Sequence, residues 1–199
     1  MKKSLVILLA AFLAAATSFG QKSDISNAKS WTWLGIDYTH CYFITSMDFI
    51  DADDLLSKTK AWNNLVYTER EKYIEKALEG KNVTFSADMI KDMNMEIDME
   101  SRITNDESLY KHLDPTQAEQ IVSNYKIPDD LSGVGLVFIA ESYSKPEEAG
   151  AYYVTFIDLS TKKVLSTERM TGKAKGFGLR NYWAYTFYKV LQEIGKKYE

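Results

Sequence analysis

The chain has 199 residues and a formal net charge of −4, with 24 Lys and Arg against 28 Asp and Glu. That balance argues against nonspecific binding to nucleic acid or to an anionic membrane, both of which need a net positive face. Cys41 is the sole cysteine, and His40 and His112 are the two histidines. An intramolecular disulfide is therefore excluded, and a histidine-based metal site or a Ser-His-Asp triad has almost no material.

At the amino terminus, Lys2 and Lys3 precede an unbroken apolar run from Leu5 to Ala16, and small residues at Ser18 and Gly20 suit a cut before Gln21. The run is shorter than the roughly 20 residues of a membrane span. These are the three parts of a secretory signal peptide over residues 1–20. Export to the periplasm or beyond is expected, with no lipid attachment, since no Cys follows the cut. With Lys2 and Lys3 removed, 22 basic residues face 28 acidic ones, a net charge of −6. Residues 21–30 read as a flexible lead-in and residues 31–199 as a single α+β domain.

From Trp31 to Ile50, aromatic and β-branched residues predict one or two strands, broken near Gly35 or Thr39-His40. Asp51 is the expected N-cap of a helix with a break at Asn63-Asn64, and Thr68 to Glu71 fits a capping box that would start a second helix ending at Gly80. Val83 to Phe85 predicts a short strand, followed by a helical turn capped by Ser86. From Met93 to Glu100, apolar and polar residues alternate strictly, which predicts a half-buried strand with one acidic face. Asp114-Pro115 opens a helix that ends before Pro128. Gly133 to Ser144 reads as a strand buried on both faces, and Tyr152 to Leu159 and Val164 to Thr171 as a hairpin. The last helix, from Leu179, carries Trp183, Phe187, Val190, Leu191, Ile194 and Tyr198 on one stripe. The expected fold is α+β: a mixed β-sheet with helices packed on one face, ending in a β-hairpin and a C-terminal helix.

Residues 151–192 run AYYVTFIDLSTKKVLSTERMTGKAKGFGLRNYWAYTFYKVLQ. This stretch resembles the closing strand–hairpin–helix unit of a set of bacterial envelope accessory proteins. The set includes the amino-terminal domain of TolB, the outer-membrane lipoprotein activators of penicillin-binding proteins, and the curli secretion lipoprotein CsgG. The aromatic segment Trp33 to Tyr38 corresponds to their first strand, and exported proteins of Bacteroidetes have the same look. Two departures stand out: the chain lacks the lipobox Cys, and Lys163 stands where a turn Gly is usual. The resemblance implies a non-catalytic adaptor with a protein partner in the envelope.

Between the last strand and the last helix, Gly172 to Arg180 holds three glycines with Lys173, Lys175 and Arg180. Gly176 and Gly178 would let the backbone approach an anion at the helix start. The segment is neither a P-loop nor a dinucleotide fingerprint. Met89, Met93, Met95 and Met99 invite a soft-metal reading, but the alternation assigns most of them to core filling. Asp92, Glu96, Asp98 and Glu100 lack a calcium-loop spacing and read as a solvated face. Cys41 reads as a small buried hydrophobe, and Tyr182, Tyr185 and Tyr188 either as part of a two-sided stripe packed under the sheet or as a partner surface. No cofactor and no metal are expected. The function expected is an exported binding or adaptor module without catalysis. The alternative is a small-anion or nucleotide-like ligand binder, or an enzyme, using the Gly172–Arg180 turn. A ligand site would show as a pocket bordered by that turn with polar groups converging on it; an adaptor would show an exposed apolar patch and no deep cleft.

Overall fold

The computed structural model describes residues 24–45 and 51–198; the expected signal peptide, Gln21 and the expected strand's end at Ile50 lie outside them. At its centre is β5 (Val134–Ser144), buried along its whole length. Along one side run β1 (Ser30–Asp37) and then β2 (Tyr42–Ile44), both parallel to β5. Two short parallel strands, β3 (Asn82–Phe85) beside β1 and β4 (Ile103–Thr104) beside β2, finish that side. On the other side β6 (Ala149–Asp158) and β7 (Lys163–Lys173) pair antiparallel as the expected hairpin. The break in the first aromatic stretch falls at residues 38–41, and a register shift at Gly35 (φ 117°) marks the other expected irregularity.

The sheet is mixed and the class α+β, as expected, but the helices cover both faces. Alternation along β5 sends Leu136, Phe138 and Ala140 to one cluster and Val137 and Ile139 to another. The first cluster is closed by α1 (Ala52–Thr68) and α4 (Leu179–Lys197) through Leu55, Trp62, Trp183 and Phe187. Against the second pack α2 (Asp88–Met95) and α3 (Pro115–Ser123) through Ile90, Ala118, Ile121 and Val122. A central strand apolar on both faces requires this second layer.

Local chemistry explains the ends. Asp51 caps α1, its carboxylate accepting from Asp54 N–H at 2.9 Å. Asp114 caps α3 with Pro115 in the first turn, and Gln117 returns a bond to complete a capping box. The box expected at Thr68 to Glu71 does not form, because the Thr68 hydroxyl bonds back to Asn64 C=O within α1; a π-helical turn, Glu71–Glu75, follows. Ser86 is not a cap either; the N-cap of α2 is Ala87, which makes no side-chain cap.

Asn63 does not break α1. Beyond Phe85 the outer edge of β1 has no strand beside it, and two asparagines take over. Asn63 accepts from Ile36 N–H at 2.8 Å and donates to Ile36 C=O at 2.9 Å. Asn94 accepts from Tyr38 N–H and donates to Ile36 C=O, both at 2.8 Å. Asn94 lies on α2, which replaces the strand expected over Met93 to Glu100. The alternation there coincides with a second spacing: Ile90 and Asn94, one turn apart, are the buried positions of the helix.

The segment read as a lead-in is anchored to the fold through Ile25. Ile25 is fully buried, its C=O accepts from Trp31 Nε1 at 3.2 Å, and Lys81 Nζ donates to the Ser26 C=O.

Candidate functional site: an apolar cleft at the strand ends

The strands β2 and β5 run parallel and stop together at Ile44 and Ser144. Carboxyl ends of parallel strands are where open α/β sheets leave room for ligands. Here the room is a cleft of about 380 Å³. Its apolar wall comes from Phe43, Ile44, Leu55, Tyr143, Leu179 and Trp183. The Trp183 ring stacks on Tyr143 with centroids 5.1 Å apart, and Phe43 meets the same tyrosine edge-on at 5.5 Å.

Behind this wall the tyrosine hydroxyls satisfy one another. Tyr38 and Tyr143 share a hydrogen bond of 3.0 Å, Tyr152 donates to Tyr143 at 2.9 Å, and Tyr152 meets the Thr186 hydroxyl at 2.5 Å. Burial pushes all three phenols well above their ordinary pKa. They stay protonated and hold the wall in place.

The polar margin is small. Lys145, at the end of β5, sets its ammonium 4.2 Å from the Tyr182 ring centroid, and both residues line the cleft. Asp54 also lines it and is ion-paired to Lys58 at 2.8 Å. Gly176 and Gly178 border it from the turn before α4, whose first N–H groups carry no side-chain cap. Between these glycines, with φ of 124° and 77°, Phe177 is 96% exposed.

The expected anion turn is thus divided. Gly176 and Gly178 reach the cleft. Lys173 instead donates to Glu147 C=O at 3.3 Å, and Arg180 pairs with Glu69 at 3.0 Å. Lys175 is exposed, its backbone N–H bonded to Tyr182 C=O. Gly172 has a packing reason: a Cβ there would sit 2.0 Å from the Thr186 carbonyl oxygen. The three cations do not converge.

Tyr182 lines the cleft, while Tyr185 and Tyr188 are half-buried further along α4, 6.0 Å apart. Lys189 lies over the Tyr185 ring and Lys72 over the Tyr188 ring. Cys41 is buried, and burial drives its thiol pKa well up. The His112 ring is held between the carbonyls of Leu109 and His40, at 2.8 and 3.1 Å. Among the described residues no three His, Cys, Asp or Glu side chains form a metal-binding group. Of the methionines that the alternation assigned to the core, Met99 is buried and Met93 packs partly buried against the second cluster, as Met89 does, but Met95 is 50% exposed because α2 turns it outward. Asp92, Glu96, Asp98 and Glu100 face solvent as expected, but from a helix and its turn.

Sequence reasoning missed Phe43, Ile44, Leu55 and Lys145. They meet because β2 pairs with β5, a contact across about a hundred residues that no local pattern announces.

No family model matches the chain, and no curated protein matches it. Among solved structures, the LpoB C-terminal domain from Salmonella enterica is similar at 15% identity, over 73% of this chain and 84% of that one, with a TM-score of 0.27. A likeness that low leaves function to be argued from this chain's own geometry.

Proposed function

We propose that the protein is an exported, non-catalytic binding module of the bacterial envelope, and that it docks a partner protein on the cleft between the strand ends and α4. The observation that carries this reading is Phe177, a bare phenyl ring held out between two positive-φ glycines at the rim of an apolar cleft. Exposed apolar surface beside a concave apolar site is the mark of an interaction surface, and aromatic residues are enriched in such interfaces. The half-buried Tyr182 extends the same surface. Export is supported by the Lys-Lys, apolar and small-residue succession of residues 2–20.

A second reading keeps the turn as a small-anion site. It is favoured by Gly176 and Gly178 bordering the cleft at the uncapped start of α4. Lys175 would then supply the charge, since Lys173 and Arg180 have other partners.

A photo-crosslinking amino acid at position 177, in the producing cell, tests the first reading. The expected result is one discrete adduct, lost with Leu179→Asp, on a chain whose amino terminus is Gln21 or within a residue or two of it. No adduct, or Met1 intact on the envelope-associated protein, overturns it. The second reading predicts that a phosphorylated or carboxylated metabolite raises the melting point of wild type but not of a Lys173→Ala/Lys175→Ala/Arg180→Ala variant.

A further inference from the structure

We infer that the cleft takes the carboxyl-terminal end of a polypeptide, a large apolar last residue in the cavity and its free α-carboxylate on Lys145. This rests on the docking reading above and adds the chemistry of what docks. The cavity carries the inference: at about 380 Å³ it is the size of one or two side chains, and its wall is aromatic and aliphatic. Such a wall discriminates by apolar bulk; Thr45 is the buried polar side chain among the described lining residues.

The charge at the margin narrows the class. Lys145 is exposed and pairs with no carboxylate among the described residues, yet its ammonium is positioned over Tyr182 rather than free in solvent. A cation placed by a ring at the mouth of an apolar cavity suits an anion attached directly to an apolar group. Asp54, the acid that lines the cleft, is ion-paired to Lys58. The uncapped first turn of α4 adds donors on the same margin but is not needed for the inference. A chain-terminal phenylalanine or leucine has this shape, with its carboxylate one carbon from its side chain. An internal residue of the same type lacks the charge.

The test uses two synthetic peptides, N-acetyl-Gly-Gly-Gly-Phe with a free carboxylate and the same peptide as its carboxamide. Binding to the mature protein is followed by titration calorimetry. The acid is expected to bind wild type at least about tenfold more tightly than the amide, the worth of one charge-assisted contact. Lys145→Met, a change at an exposed position, is expected to keep the fold and abolish that difference. Leu179→Asp is expected to lose both peptides, with circular dichroism confirming that it folds. Equal binding of acid and amide, or no binding of either, overturns the inference. If the crosslink from position 177 persists while the peptides fail, the carboxyl-terminal chemistry is wrong and the docking reading survives; if both fail, both fall.

Discussion

The Glu141 carboxylate, fully buried on β5, accepts a hydrogen bond from Arg169 Nε of β7 at 2.6 Å. Glu141 is the extra residue of a β-bulge, where the β5–β6 register steps from Ala140 to Ser142. Its other oxygen accepts from the backbone N–H groups of His112 and Leu113 at 3.0 and 2.9 Å. One side chain thus ties the irregular segment before α3 to the outer strand of the hairpin, and Arg169 adds a bond to Tyr110 C=O.

Removing one partner of a buried pair leaves the other charge unpaired, so Arg169→Met should cost about 3–5 kcal/mol in urea denaturation. Replacing both, as Glu141→Leu with Arg169→Met, should recover part of that loss. It should not restore wild-type stability, because the His112 and Leu113 N–H groups then lack an acceptor, at about 1–3 kcal/mol for each group left unpaired. A double variant as stable as wild type would show that those two bonds contribute nothing.

His40 sits at the break between β1 and β2, and desolvation lowers its pKa from the ordinary 6.5, outweighing the opposing pull of the nearby Asp37. Arg102 and His112 act in the same direction as burial. The unfolded chain therefore binds a proton at a higher pH than the folded one does. The stability this difference contributes is present above pH 6.5 and is lost as pH falls through the folded value. In unfolding experiments across pH 7.5 to 5, His40→Gln should show a shallower decline than wild type. Identical slopes would remove His40 as the source.

Much of the frame is visible in local sequence because its signals are short-range. Asp51, Asp114-Pro115 and the Trp183–Ile194 stripe each act within one helix, and each sits where its chemistry predicts. Two of the failures share a long-range cause. Asn63 resembles a helix breaker until the open edge of β1 gives its amide a partner 27 residues away. Met93 to Met99 alternates like a strand, but the buried positions Ile90 and Asn94 are fixed by β1, not by their neighbours. Gly176 and Gly178 of the Gly172–Arg180 stretch border the cleft, while the wall they face depends on β5 lying beside β2.

Trp183 joins core and cleft: it is 5% exposed, stacks on Tyr143, and closes one side of the cavity. Truncation to Ala should cost about 3–5 kcal/mol, the usual range for a large buried aromatic. It should also enlarge the cleft, so an apolar fluorophore should bind the folded variant more strongly than wild type. A denaturation midpoint equal to wild type would contradict the packing.

Gly172, near the end of β7, and Gly178, in the turn before α4, separate structure from binding. At Gly172 a Cβ would lie 2.0, 2.7 and 2.9 Å from backbone atoms of Thr186, where no side chain can yield. Alanine there must push α4 away from β7, at a cost of about 3 kcal/mol or more, the upper end of overpacking. At Gly178 a Cβ would meet nothing within 4 Å, but φ is 77° with ψ near 150°, a region that is essentially glycine's own. Strain alone should cost Gly178→Ala about 1–3 kcal/mol. The two also differ in what they do to Phe177. Gly178→Ala leaves the β7–α4 contact intact and changes the backbone beside the exposed ring, so the protein should remain folded at 25 °C and lose crosslinking from position 177. Thermal melts and crosslinking yields of the two variants, measured side by side, decide this. A Gly178→Ala protein that melts below Gly172→Ala would contradict the close packing at Gly172, and one that crosslinks as wild type does would show that the tip's backbone has no part in docking.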